Sequence, residues 1–240
     1  MFRKRLVVLG VSVVLSVAAV VASSASAAVT FQWKVGGSLL PSGSNRTLTA
    51  SAESNFDLAA TAGGAAALLL SSKLKVAPGA KVFGGQPGTS EEVIEFESVT
   101  VDRPAKCGIS QSGVAGIIKF TSAKLEVVEG ASAEKGNGES ELLLAPTTGT
   151  VFSTFELTGA ECTLKGQIPA ISGSGLALPL PNSPTTELLT QLLDIEAVTK
   201  EYKNFKKEFK KAGLVFAGNS AAATGAILTT LTSDEKFGAF

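Results

Sequence analysis

The chain reads as a mainly β protein, an antiparallel sandwich or barrel-like domain of many short strands with one or two helices near residues 186–211. Three features carry that prediction. Short runs alternate apolar and polar residues with period two, Gly and Pro punctuate them, and beyond Pro184 the apolar spacing changes to four and three. With 240 residues, 45% of them hydrophobic, the chain has enough apolar material for a packed core and too much for intrinsic disorder.

The first element is an export signal over residues 1–27. Arg3, Lys4 and Arg5 precede an uncharged apolar run from Leu6 to Ala22, and Ala25-Ser26-Ala27 has the small-residue form that a signal peptidase accepts. The competing reading is a retained membrane anchor, for which the run is at the short limit. No Cys lies near the cleavage point, so a lipoprotein anchor is excluded. Residues 28–240 then form a single mainly β domain of 18 basic and 21 acidic residues, net −3, located outside the cell or at its envelope. A mildly acidic exported chain lacks the basic footprint of a nucleic-acid reader, and no integral span is expected after cleavage.

Strands follow in order. In Val29–Val35, Val29, Phe31, Trp33 and Val35 share one face, and Gly36-Gly37 ends the run. Leu48, Ala50 and Ala52 alternate with Thr47, Thr49 and Ser51. Lys73–Val76 stops at Pro78-Gly79, and Phe83 to Gly88 is a loop. Glu92 to Val101 is a strand whose apolar face changes over near Ser98: Ile94 and Phe96 lie on one parity, Val99 and Val101 on the other, as a bulge would produce. Ile117–Phe120, Lys124–Val128, Glu141–Ala145, Val151–Leu157, Thr163–Ile168 and Leu176–Leu180 are further strands, and 131–141 is a polar loop.

Beyond Pro184, Thr185 or Thr186 is a helix cap, and Leu188, Leu192, Ile195, Val198, Tyr202, Phe205 and Phe209 fit the stripe of an amphipathic helix stopping at Ala212-Gly213. Asp194 to Thr199 also alternates like a strand, so helix and strand both stay open there. Residues 212–240 read as a C-terminal hairpin region, with strands at Leu214–Ala217 and Ala226–Leu231 around Gly218-Asn219. The chain ends in Phe, as outer-membrane barrels do, but Asp234 and Lys236 stand where apolar residues should precede it, so that barrel type is rejected.

The chain contains no His, which removes Ser-His-Asp triads, Cys-His dyads, H-E-x-x-H zinc sites and imidazole acid–base chemistry. Its two cysteines, Cys107 and Cys162, are expected to form a disulfide in an oxidising compartment. Val99–Ile109 and Phe155–Leu164 each place a β-run before a Cys, as two equivalent strands joined by that bridge would. Ser110-Gln111-Ser112 lacks the second Gly of a nucleophile elbow. Ser72/Lys75, Ser132/Lys135 and Ser233/Lys236 match S-x-x-K without its companion motifs. No metal site and no cofactor site is expected.

Carboxylates leave one enzyme route open. Glu95 and Glu97 share a strand face at about 6.6 Å of rise, within the separation that glycoside hydrolysis uses. Glu92 is a third acid on the opposite face. The motif of β-sandwich glucanases places Asp between its two Glu, whereas here Phe96 or Ile94 intervenes. The strongest charge feature is Lys200, Lys203, Lys206, Lys207, Lys210 and Lys211 against Glu201 and Glu208, a local +4 in a domain that is otherwise −7. On a continuous helix these lysines would project outward and contact an anionic envelope surface, a cell-wall polymer or another envelope protein.

Phe31–Gly37 directly after the signal, Gly213–Asn219 and the closing Lys236–Phe240 together resemble a loose group of secreted, β-rich, uncharacterised actinobacterial proteins. The resemblance implies location and general fold, and it transfers no activity or site residue. The expected function is a secreted or envelope-associated, non-catalytic protein with a structural, adhesive or binding role. Its alternatives are a carbohydrate-active hydrolase using Glu95 and Glu97, and a peripheral binder of anionic envelope surfaces through Lys200–Lys211.

Overall fold

The computed structural model describes residues 29–52, 55–62, 65–130, 140–180, 188–195 and 199–240. The predicted signal, the Ser132/Lys135 pair and most of the 131–141 loop lie outside them. Alternating side chains make β-strands, and here the strands close on themselves. Thr89–Arg103 pairs with Ile118–Gly130, which continues through Ser140–Pro146, Gly175–Leu180, Leu188–Ile195 and Asn219–Leu231. Asn219–Leu231 then meets Asn55–Ala62, which pairs with Ala65–Val76, and that strand returns to Thr89–Arg103. The circuit is an eight-stranded antiparallel barrel. Near one end, Asn45–Ala52 and Lys81–Phe83 bridge the same gap between Asn219–Leu231 and Thr89–Arg103. Of the two architectures the sequence leaves open, the barrel is the one formed.

Its interior is apolar and packed. Phe56, Phe96, Phe120 and Phe152 form a column of rings across it, with successive centroids 4.7, 4.9 and 4.9 Å apart. The void among these rings and their aliphatic neighbours is only about 30 Å³. Acidic residues of Thr89–Arg103, among them Glu91, Glu95, Glu97 and Asp102, lie instead on its outward side. Apolar inside and charged outside is the reverse of a transmembrane barrel. No helix among the described residues is long and apolar enough to cross a membrane.

The changeover expected at Ser98 is present. Ser98 takes φ 54°, the register with Ala65–Val76 slips between Ser71 and Lys73, and Val99 and Val101 thereby join Ile94 and Phe96 inside. Both ends of the barrel are stoppered. At one, Trp33–Val35 pairs with Ser38–Leu39 and with Phe237–Ala239, carrying buried Phe31, Trp33 and Phe237. Gly88 permits this cap, because a Cβ there would stand 2.8 Å from the Trp33 amide nitrogen. At the other end, Val151–Thr154, Ala170–Gly173 and Leu214–Phe216 pair side by side. Beside them Gly108–Gln111 pairs with Glu156–Thr158, and the Cys107–Cys162 disulfide ties the same two segments.

Two sequence expectations are corrected. Thr163–Ile168 is a succession of turns that leaves Ile168 exposed. The helix near residues 186–211 does not form, and no α-helix exists among the described residues. Leu188–Ile195 is a wall strand with eight paired residues against Asn219–Leu231, so barrel closure satisfies its backbone on both edges. Lys200–Lys203 and Phe209–Ala212 form a two-stranded ribbon. A helix would have stacked Lys203, Lys206, Lys207, Lys210 and Lys211 at like-charge spacings of three and four, which opposes helix formation. Val198 and the adjoining 196–197 lie outside the described residues. The C-terminal hairpin forms with its turn one residue earlier than expected: Leu214–Phe216 turns through Ala217 and Gly218, both at positive φ, into a strand that starts at Asn219 instead of Ala226.

Candidate functional site: a lysine-rich ribbon

The ribbon grows from the wall strand Ile118–Gly130, where, among the described residues, Glu129 pairs with Lys203 and Gly130 with Tyr202. Its tip is set by Asn204, whose Oδ1 accepts hydrogen bonds from the amides of Lys206 and Glu208, both at 3.0 Å. This Asx-type turn, with Lys207 at φ 62°, reverses the chain where the apolar stripe alone predicts a helix to run on.

The six lysines are unequally engaged. Lys203 reaches Glu129 at 3.0 Å, Lys210 reaches Glu208 at 3.1 Å, and Lys211 lies 4.0 Å from Glu201. Lys206 and Lys207 stand at the turn, their ammonium groups 5.8 Å and 4.3 Å from the ring centroids of Phe205 and Phe31. Lys200 is exposed on the inner strand of the ribbon, opposite Ala212. Phe209, at 62% exposure, sits among these charges with the Lys203 ammonium 5.2 Å above its ring. Burial, and then the Glu126 carboxylate, push the Tyr202 phenol above its ordinary pKa. Hydrogen bonds from Lys210 and Asn204, reinforced by the Lys210 charge, hold Glu208 below the usual carboxylate range. Chemically this is an exposed cationic surface with an aromatic face, suited to polyanions.

The helical face that the anionic-surface reading required is absent. The same six lysines are nonetheless gathered, on a ribbon whose strands expose both faces. Residue spacing missed this arrangement, although Asn204 between two Lys-rich runs is a turn signal that the sequence does contain.

Glu95 and Glu97 lie on the outward face of Thr89–Arg103, as their shared parity predicts. Each is tied to a lysine of a neighbouring strand, Glu95 to Lys119 at 2.8 Å and Glu97 to Lys75 at 3.1 Å. Neither lines one of the described cavities. Glu92 is on the opposite, inward face as expected, and is only 3% exposed. Of the S-x-x-K pairs, Ser72 is buried and donates to the Phe56 carbonyl, while Ser233 donates to Glu235. No group of three His, Cys, Asp or Glu able to hold a metal ion occurs among the described residues. Comparison of the chain with protein-family models, curated proteins and solved structures returns no match.

Proposed function

We propose that this is a secreted or envelope-associated, non-catalytic binding protein whose contact surface is the ribbon Lys200–Ala212 and whose ligand is an anionic polymer of the cell envelope. The observation that carries the reading is the concentration of +4 on one exposed ribbon of a domain that is −7 elsewhere. Such an asymmetry orients the molecule toward a polyanion by the ribbon and repels it by the remaining surface. Phe209 adds an apolar contact that screening by salt does not remove.

The test is co-sedimentation of the purified secreted protein with insoluble cell-wall material at ionic strengths of about 0.01 M and about 1 M, across which the Debye length falls from about 30 Å to about 3 Å. Pelleting at low salt, its loss at high salt, and its loss in the Lys206→Glu/Lys207→Glu variant are the expected results. Salt-resistant pelleting places recognition on the barrel instead. Absence of pelleting at both ionic strengths, or binding that charge reversal leaves unchanged, overturns the proposal.

A further inference from the structure

Among the described residues, Phe209 is the one aromatic ring in the set of exposed large apolar side chains. The other rings that the ribbon lysines approach are covered: Phe31 is 1% exposed beneath Lys207, and Phe205 is half-buried at the turn. A ring left in water contributes little to folding, because hydrophobic stabilisation scales with the area removed from water. The fold therefore gives no reason for an aromatic residue at this position.

Its surroundings do give one. Phe209 opens the outer strand of the ribbon, Phe209–Ala212, whose partner strand among the described residues is Lys200–Lys203, with no further strand shielding the far edge. Directly across from it is Lys203, its ammonium 5.2 Å from the ring centroid and held by Glu129 at 3.0 Å. Lys211 follows two residues later on the same face of the strand, about 6.8 Å further along. The Lys211–Glu201 contact, 4.0 Å long between side chains more than half exposed, is a weak one that a ligand can displace. Phe209 lines none of the described cavities, so the ring is offered on an open surface between two lysines.

We infer, resting on the ribbon's proposed role as a polyanion contact, that its ligand is an acidic polysaccharide, and that Phe209 distinguishes this class from polyanions without sugar rings. The face of an aromatic ring is the negative end of its quadrupole. A sugar ring turns a patch of weakly positive C–H groups toward such a face, while the acid groups at its periphery reach the flanking Lys203 and Lys211. An extended chain of rings needs no pocket, because neighbouring residues of the polymer engage the remaining lysines. A polyphosphate or an acidic polypeptide can satisfy the lysines equally well, but it has no saturated ring to lay on Phe209.

The experiment is calorimetric titration of the purified secreted protein with polygalacturonate and with polyglutamate, compared per carboxylate at an ionic strength of about 0.1 M, where the Debye length is about 10 Å. Both polymers carry a carboxylate on every repeat, and only the first carries sugar rings. Polygalacturonate should bind more tightly by about fivefold, the size of a single aromatic contact. Phe209→Leu keeps an apolar side chain and removes the ring, so it should abolish the preference by weakening polygalacturonate alone. Phe209→Trp should retain the preference. At 62% exposure both substitutions leave the fold intact, which far-UV circular dichroism checks. Lys206→Glu/Lys207→Glu should weaken both polymers. Equal affinity for the two polymers, a preference for polyglutamate, or a preference that survives Phe209→Leu each overturns the inference while leaving the ribbon as a polyanion contact. Failure of the wild type to bind either polymer overturns both.

Discussion

Removing Phe120 tests whether the eight strands enclose one continuous core. Phe120 is 5% exposed and stands between Phe96 and Phe152, each with its ring centroid 4.9 Å away. Truncating a buried Phe to Ala costs about 3–5 kcal/mol through lost transfer energy and the cavity left behind. Here each lost ring pair adds about 0.5–1.5 kcal/mol beyond burial, while neighbours relaxing into the new space recover some of it. The expected loss for Phe120→Ala is about 4 kcal/mol. At about 2–4 °C per kcal/mol for a domain of this size, the melting temperature should fall by about 8–16 °C. Urea unfolding read by far-UV circular dichroism and by fluorescence of Trp33 is the assay. Trp33 is the sole tryptophan, buried in the cap at the far end, with its indole N–H donating to the Thr89 carbonyl at 3.0 Å. Both probes should shift together. Phe209→Ala on the exposed ribbon should move stability by less than about 0.5 kcal/mol. A loss under about 1 kcal/mol for Phe120→Ala, or a Trp33 transition that stays in place while the dichroism moves, would refute the single packed interior.

The Cys107–Cys162 bridge spans 55 residues, so replacing both cysteines by Ala should lower stability by about 4 kcal/mol in the loop-entropy account. Equal urea midpoints for the bridged and replaced forms would disprove that account. Glu208 is depressed in the folded state, so its stabilising contribution is present above the ordinary glutamate value of about 4.5 and is lost as the pH falls through its lower folded value. The Asn204 turn should therefore loosen in acid, seen as faster exchange of the Lys206 and Glu208 amides, and Glu208→Gln should abolish this pH dependence. Glu235, held low by hydrogen bonds from Ser233 and Arg46, should loosen its contacts beside the terminal cap with the same sign.

Much of the wall was legible as local pattern. The alternation before Pro78, the parity change at Ser98 and a reversal at Gly218 are consequences of short-range chemistry: period-two side-chain placement, a one-residue bulge and positive φ at a tight turn. The outward position of Glu95 and Glu97 followed from the same alternation. Their lysine partners did not, because Lys75 and Lys119 reach them from different strands. The helix expected near residues 186–211 failed for a related reason. The apolar spacing satisfied a helix, but the backbone of Leu188–Ile195 is claimed by Asn219–Leu231 and Gly175–Leu180, and that of Lys200–Lys203 by Ile118–Gly130 and Phe209–Ala212; spacing says nothing about distant partners.

By itself the sequence determined that the chain is β-rich, that histidine chemistry is excluded and that positive charge concentrates between Lys200 and Lys211. Composition and local periodicity suffice for all three. Tertiary structure alone decided that the strands close into a barrel and that the lysines occupy a ribbon. The physical reason is that alternation specifies which face a side chain takes. What that face meets depends on strand pairing between segments far apart in the chain, and that pairing is selected by the burial of the whole interior.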